Sequence, residues 1–450
     1  MPELERPRKA EKTICALGIA AVVAAYVIWA VSGAHANKAG YTVAAVSAGL
    51  FIVLGLRFVP QWMRFWSRDW RETPAGKEEK EPLWLIFAGA MAVFALVQLT
   101  QYCFQRLAGD QSDFFKGLGI WLHLDSGRYF AIAEDWYPAP GMPECENLVF
   151  FPAYPLAVRL LNYLTGSSMA SGLLATALFY GGAACFVYKL LRLDFSRAAS
   201  LRTIKYMAIL PAAFFFSAPM SESLFLLLCA ACAYFARSGK WAAGCIMGAL
   251  AAFTRSVGIL TMVFLIMEAV SACIHSGEGL KKWLPKFAAI LIVPLGLLAY
   301  MLINYTVTGD PLAFFEYESK YWGQSLTLFF STMAFQLDNG LAMLGTPDYY
   351  VALATWLPNV AYELAVLILL AFAVKKFRPS YGAWFIVYYV LTIGATYLIS
   401  GPRYLVAALP VYPALAIATE NRKFDLAFSL LCIVLSLFYL YLFVLHWGVY

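Results

Sequence analysis

The chain is poor in charge and in histidine. Only 13% of its 450 residues are charged, against 62% hydrophobic, and it holds four histidines. So little charge cannot cover a soluble protein of this length, so a soluble globular fold is excluded. No two histidines sit at metal-ligand spacing, so no His-ligated metal is expected. No Gly-x-Gly-x-x-Gly loop, phosphate-binding P-loop or nucleophile elbow stands where it could act, so no cofactor is expected. The net charge of +6 points to no nucleic-acid partner, because membrane proteins gather excess Lys and Arg in cytoplasmic loops. The first apolar run has no small-residue cleavage site behind it and reads as a retained span. Most cysteines fall inside apolar runs, where the thiol packs as a small hydrophobe; Cys229 and Cys232 have a CxxC spacing but lie within such a run. Cys103 and Cys145 flank one polar loop, where a disulfide and two free thiols are both open.

What the sequence does have is a series of apolar runs near the length that crosses a bilayer. They read as about thirteen spans: 14–34, 41–57, 83–103, 168–188, 204–218, 221–236, 241–253, 257–273, 287–305, 351–373, 382–399, 404–419 and 425–446. With a cytoplasmic N-terminus, 25 of the 33 Lys and Arg fall inside and eight outside, which sets the expected orientation. The expected fold class is therefore an all-α polytopic membrane protein in the lipid bilayer. Residues 1–82 read as a cytoplasmic N-terminus, two added spans and a basic cytoplasmic loop. Residues 83–450 read as the main transmembrane domain, with long outer loops at 104–167 and 306–350. Both loops are aromatic-rich and are expected to form interfacial helices. The apolar stretch 148–164 is read as lateral or re-entrant, because a full crossing there would conflict with the span at 168–188.

The most informative stretch is His123-Leu124-Asp125-Ser126-Gly127-Arg128-Tyr129-Phe130, followed by Phe150-Phe151-Pro152-Ala153-Tyr154-Pro155. An acid just outside the membrane among aromatics can act as a general base on a sugar hydroxyl. Salt bridging of Asp125 to Arg128 is the plainer alternative. Arg255 lies in a tight outer turn and Arg403 follows Gly401-Pro402. For each, a phosphate contact competes with snorkelling to the headgroups. Glu222, between Ser221 and Ser223, suits a helix cap as well as a site. Asp310 lies in a turn-forming Thr308-Gly309-Asp310-Pro311, and Lys320 in an aromatic loop where a solvated charge is the default.

In their order along the chain, these motifs resemble the PIG-V family. The resemblance rests on the Asp125 stretch, the Phe150–Pro155 stretch and Pro219-Met220-Ser221-Glu222-Ser223. It continues through Thr254-Arg255-Ser256-x-Gly258, Thr308-Gly309-Asp310-Pro311 and Pro402-Arg403-Tyr404, from about residue 83 to 420. The family usually has Trp immediately before the acid, where this chain has Leu124. PIG-V is the second mannosyltransferase of GPI-anchor synthesis, and the family has bacterial relatives. The resemblance implies a GT-C-like fold and an inverting glycosyltransferase, a mannosyltransferase by this likeness. It would take sugar from a polyprenyl-phosphate donor and pass it to a lipid-linked or glycan acceptor on the non-cytoplasmic face. A bacterial plasma membrane is the expected location. Asp125 is expected as catalytic base and Arg255 and Arg403 as donor phosphate contacts. Glu222, Asp310, Arg128 and Lys320 are expected as further substrate-binding residues. The rival is a polytopic transporter or lipid flippase, which predicts charged or broken helices at mid-depth and internal symmetry.

Overall fold

The computed structural model describes residues 9–32, 36–67, 83–138 and 145–450. Among these the regular structure is helical, and eight helices are long and apolar enough to cross a membrane. This makes the chain an integral membrane protein, since in lipid each backbone polar group must be satisfied within its own segment. The eight are α1 (Lys9–Val31), α2 (Lys38–Phe65), α3 (Leu83–Leu107), Ser168–Leu191, Ser256–Ser276, Leu280–Thr308, Tyr349–Ala373 and Arg422–Val444. The other expected spans are shorter or broken, and each break has a local cause.

After α3 the first long loop carries a single helical turn at Phe114–Gly117 and two longer helices, α4 (Ser126–Asp135) and α5 (Ala153–Thr165). At 13 residues, or about 20 Å, α5 is too short to cross and packs on α4 and on α6 (Ser168–Leu191). The expected span at 204–218 is two single turns, Tyr206–Ile209 and Ala213–Ser217. Leu210 between them adopts φ −59°, ψ 146° because Pro211 follows and disfavours the helical region. Then α7 (Glu222–Arg237) packs against α6 and α8 (Trp241–Thr254), and α9 (Thr261–Ser276) follows.

The long span Leu280–Thr308 divides into α10 (Leu280–Ile290) and α11 (Val293–Thr308). The second long loop carries α12 (Ala313–Trp322) and α13 (Phe329–Met343), ahead of α14 (Leu357–Ala373) and α15 (Pro379–Ile393). The expected span 382–399 stops being helical at Ile393. The chain from Gly394 runs extended, and its backbone pairs with residues 325–327 instead. The expected span 404–419 is split into α16 (Gly401–Val406) and α17 (Val411–Ala418) around Pro410. α18 (Arg422–Val444) ends the bundle. α2 lies against α13 and α14, and Arg57 donates to the Ala371 carbonyl at 3.0 Å.

Two buried charge clusters lie at opposite ends of α7, which is 16 residues or about 24 Å long. At its C-terminal end Arg237 pairs with Asp194, and Glu268 takes both arms of Arg378 at 2.6 and 2.8 Å. At its N-terminal end Glu222 begins the second cluster. The helix thus separates two polar layers by most of a hydrocarbon thickness.

Candidate active site

Four charged side chains from four separate parts of the chain converge at the Glu222 end. Asp125 stands immediately before α4, after a 3-10 turn over Leu118–His123. Glu222 opens α7. Arg255 caps the end of α8 in an extended conformation (φ −154°, ψ 144°), where the chain turns into a short 3-10 segment. That turn is tight: a Cβ on Gly258 would overlap the Ala251 carbonyl, so only glycine fits. Arg403 lies in α16, begun by Gly401 and Pro402, and proline is favoured there because its missing N–H has no helical partner to lose.

The arginines and acids form one chain of ion pairs. An Arg403 terminal nitrogen donates to Asp125 Oδ2 at 2.6 Å, and Arg255 donates to Glu222 Oε1 at 2.8 Å. Arg403 Nε lies 3.1 Å from that same Glu222 oxygen. Arg403 and Glu222 are buried, whereas the Asp125 side chain keeps 25% of its surface exposed. Two cations and two anions cancel, as buried charges must in a low dielectric. Aromatic faces complete the walls. Tyr404 lies under both guanidinium groups, 4.8 Å from Arg255 and 5.6 Å from Arg403, with Phe225 and Phe215 beyond. Three buried polar atoms in the cluster have no hydrogen-bond partner: Glu222 Oε2, Arg403 Nε and the Ser126 hydroxyl next to Asp125. Such atoms are sites where a ligand can supply the missing bond.

The structure thus brings Asp125, Glu222, Arg255 and Arg403 together. It does not pair Asp125 with Arg128. Arg128 instead reaches Glu146 at 2.7 Å and Asn147 at 3.1 Å, so the acid's partner is Arg403, 278 residues away. The acid missing from the sequence neighbourhood of Arg255 is Glu222. Arg403 is buried and Arg255 keeps just 14% of its side-chain surface exposed, which sets both apart from snorkelling side chains that keep their heads in water. Ser221 caps nothing through its hydroxyl; that group bonds Tyr129 Oη at 3.0 Å. Asp310 is exposed and accepts from Leu312 N at 2.8 Å, the turn-forming role its neighbours suggest. Lys320 is also exposed, 5.1 Å from the Tyr321 ring. Cys103 is a free, exposed thiol, and the Cys145 side chain lies outside the described residues.

Sequence reasoning passed over Tyr129, Tyr404 and Glu318 as site residues. The Asp125–Tyr129 spacing of one helical turn and the Arg403-Tyr404 adjacency were available signals. Glu318 on α12 had none. It is half-buried, and burial pushes its carboxyl up to about 7 against the opposing pull of Arg255. α12 lies over residues 145–149, with Trp322 against Phe150 and Phe314 against Phe151. Tyr129 in turn packs on Phe150 and Tyr154. The two long loops therefore meet above the charge cluster.

No protein-family model and no solved structure matches the chain. Among characterised proteins it is similar to the Mus musculus GPI alpha-1,6-mannosyltransferase 2, with 30% identity over 234 residues. That match takes in 48% of this chain and 44% of the mouse protein, so the chain spans under half the length of the relative it matches.

Proposed function

We propose that this protein is an inverting, GT-C-type glycosyltransferase. In this reading it moves a sugar, mannose by the likeness to the mouse enzyme, from a polyprenyl-phosphate donor to a lipid-linked or glycan acceptor. The observation that carries the reading is the Asp125–Arg403–Glu222–Arg255 cluster at one end of a membrane-spanning bundle, with one acid partly open, Arg403 buried and Arg255 mostly covered. Planar guanidinium forks suit phosphate oxygens. The partial similarity to a mannosyltransferase supports the same chemistry.

Asp125 takes the proton from the acceptor hydroxyl as its oxygen attacks the anomeric carbon. The carbon–oxygen bond to phosphate breaks, its electron pair stays on the phosphate, and polyprenyl phosphate leaves. Attack from the opposite face inverts the anomeric centre. Arg255 and Arg403 stabilise the charge that grows on the phosphate, the kind of term that usually dominates such catalysis. Phosphate oxygens compete for the guanidinium donors that Asp125 and Glu222 hold at rest. Donor binding then frees an Asp125 oxygen for the proton.

A transporter reading would draw on the broken crossings around Leu210 and Pro410 and on fully buried Glu363. The break at Pro410 follows the short helix that carries Arg403, at the charge cluster at one end of α7. The discriminating experiment is transfer of labelled mannose from polyprenyl-phosphate mannose to extracted membrane lipids by the purified protein. Asp125→Asn should lower turnover by about 10²–10⁴-fold, the usual contribution of a positioned base. Turnover by this variant above about a tenth of wild type would remove Asp125 from that role.

A further inference from the structure

The cluster accounts for the donor phosphate but leaves open where the acceptor sits. Beside the first turn of α4 is a cleft of about 570 Å³, a volume within the range of small-ligand sites. Its lining includes Leu122, Leu124, Gly127, Arg128, Glu146 and Asn147. Leu124 precedes Asp125 and Gly127 lies two residues after it, so the cleft opens beside that acid, whose partner Arg403 is buried.

The chemistry of this cleft differs from that of the arginine cluster. Its one cation, Arg128, is divided between Glu146 at 2.7 Å and Asn147 at 3.1 Å. One guanidinium here, against two in the cluster, offers a phosphate fewer donors. A guanidinium that donates, a carboxylate that accepts and a carboxamide that does both match hydroxyl groups, which also do both. Leu122 and Leu124 offer apolar contact to the C–H face of a sugar ring. Gly127 keeps the floor low: a Cβ there would meet just the Leu122 carbonyl, at 3.6 Å.

We propose, building on the glycosyltransferase reading, that this cleft is the acceptor subsite and holds an uncharged hexose headgroup, with Arg128, Glu146 and Asn147 bonding its hydroxyls. Hexose hydroxyls also occur on the donor, and the test separates the two sources. Octyl α-mannopyranoside serves as probe. Its binding to the purified full-length chain, in a detergent without sugar, is followed by saturation-transfer NMR. The expected result is binding to wild type. Affinity falls about tenfold or more with Glu146→Gln plus Asn147→Ala, the loss of a charge-assisted bond and a neutral one. Because Asn147 is buried, Gly127→Leu provides a second variant, whose Cβ meets the Leu122 carbonyl at ordinary contact distance, and it should fill the cleft and weaken the probe similarly. Unchanged affinity in both variants, or no binding to wild type, overturns the assignment. So does a rise in the donor KM of either variant with an unchanged acceptor KM, which would put the donor sugar in the cleft. The glycosyltransferase reading fails separately, if wild type moves no mannose from polyprenyl-phosphate mannose while the probe still binds.

Discussion

At the scale of single residues, the site depends on acids that hold arginines in place. Glu222 is shared by both guanidinium groups and is almost wholly buried. Glu222→Ala would leave two buried cations short of a counter-charge, which costs about 3–5 kcal/mol for a buried pair broken on one side. Its Tm should fall clearly, and Glu222→Gln, which keeps the shape, should lose less. Equal Tm values for wild type and Glu222→Ala would mean that the arginines find other partners. Arg255→Lys keeps the charge but not the planar fork on Tyr404. Its mannose transfer should drop about ten- to hundredfold, one charge-assisted hydrogen bond at the transition state. Near-normal turnover would remove Arg255 from the phosphate contact. Glu318 yields a pH prediction. Its folded carboxyl titrates near 7, above the ordinary carboxylate value, so the folded state binds the proton more tightly. Glu318 therefore contributes stability at pH 4–5 that is lost as pH rises through about 7. The fall in Tm between pH 5 and 8 should be shallower for Glu318→Gln, and parallel curves would refute it.

At the scale of elements, the site is made by places where helices stop. Arg255 lies at the end of α8, Glu222 at the start of α7, Asp125 just ahead of α4, and Arg403 in a helix of six residues. A buried polar network fixes that last helix. Gln336 donates to Glu363 Oε1 and to the Leu398 carbonyl, both at 3.0 Å, and Asn359 Oδ1 accepts from Gly401 N at 2.6 Å. These bonds satisfy backbone groups that the break in the helix leaves free. A Cβ on Gly401 would strike Glu363 and Asn359. Gly401→Ala and Gly258→Ala should each abolish most transfer and lower Tm, because each shifts an arginine-bearing turn. Gly119→Ala, with nothing near its Cβ, is the control and should behave as wild type. Normal activity in Gly401→Ala would show that Arg403 is positioned by other contacts. The expectation of regular spans at 204–218 and 404–419 failed here for an identifiable reason. Hydropathy measures the length of an apolar run, whereas Pro211 and Pro410 act on backbone geometry inside it.

At the scale of the whole molecule, the two charge layers lie at opposite ends of α7, and the basic-residue count sets which end is expected outside. If the Asp125 layer faces away from the cytoplasm, a cysteine at exposed Lys320 should react with an impermeant maleimide in intact cells. One at exposed Glu278 should react after permeabilisation alone. Reversed labelling would turn the topology over and place the cluster on the cytoplasmic face.

The amino-acid order by itself determined the solvent of this protein and most of its helices. Burying twenty apolar residues in a row is favourable whatever lies beside them, and the motif around Asp125 marked an acid among aromatics. What it could not determine was who pairs with whom. Arg128 is three residues from Asp125 and was the natural partner by distance along the chain, yet α4 turns it toward Glu146. Arg403 reaches the acid from the far end of the sequence. Glu222 likewise meets Arg255 across a helix pair, and Glu318 enters their field from a surface helix. Ion pairs are set by proximity in space and by the need to cancel charge away from water. Only the packed bundle brings those four segments to one point.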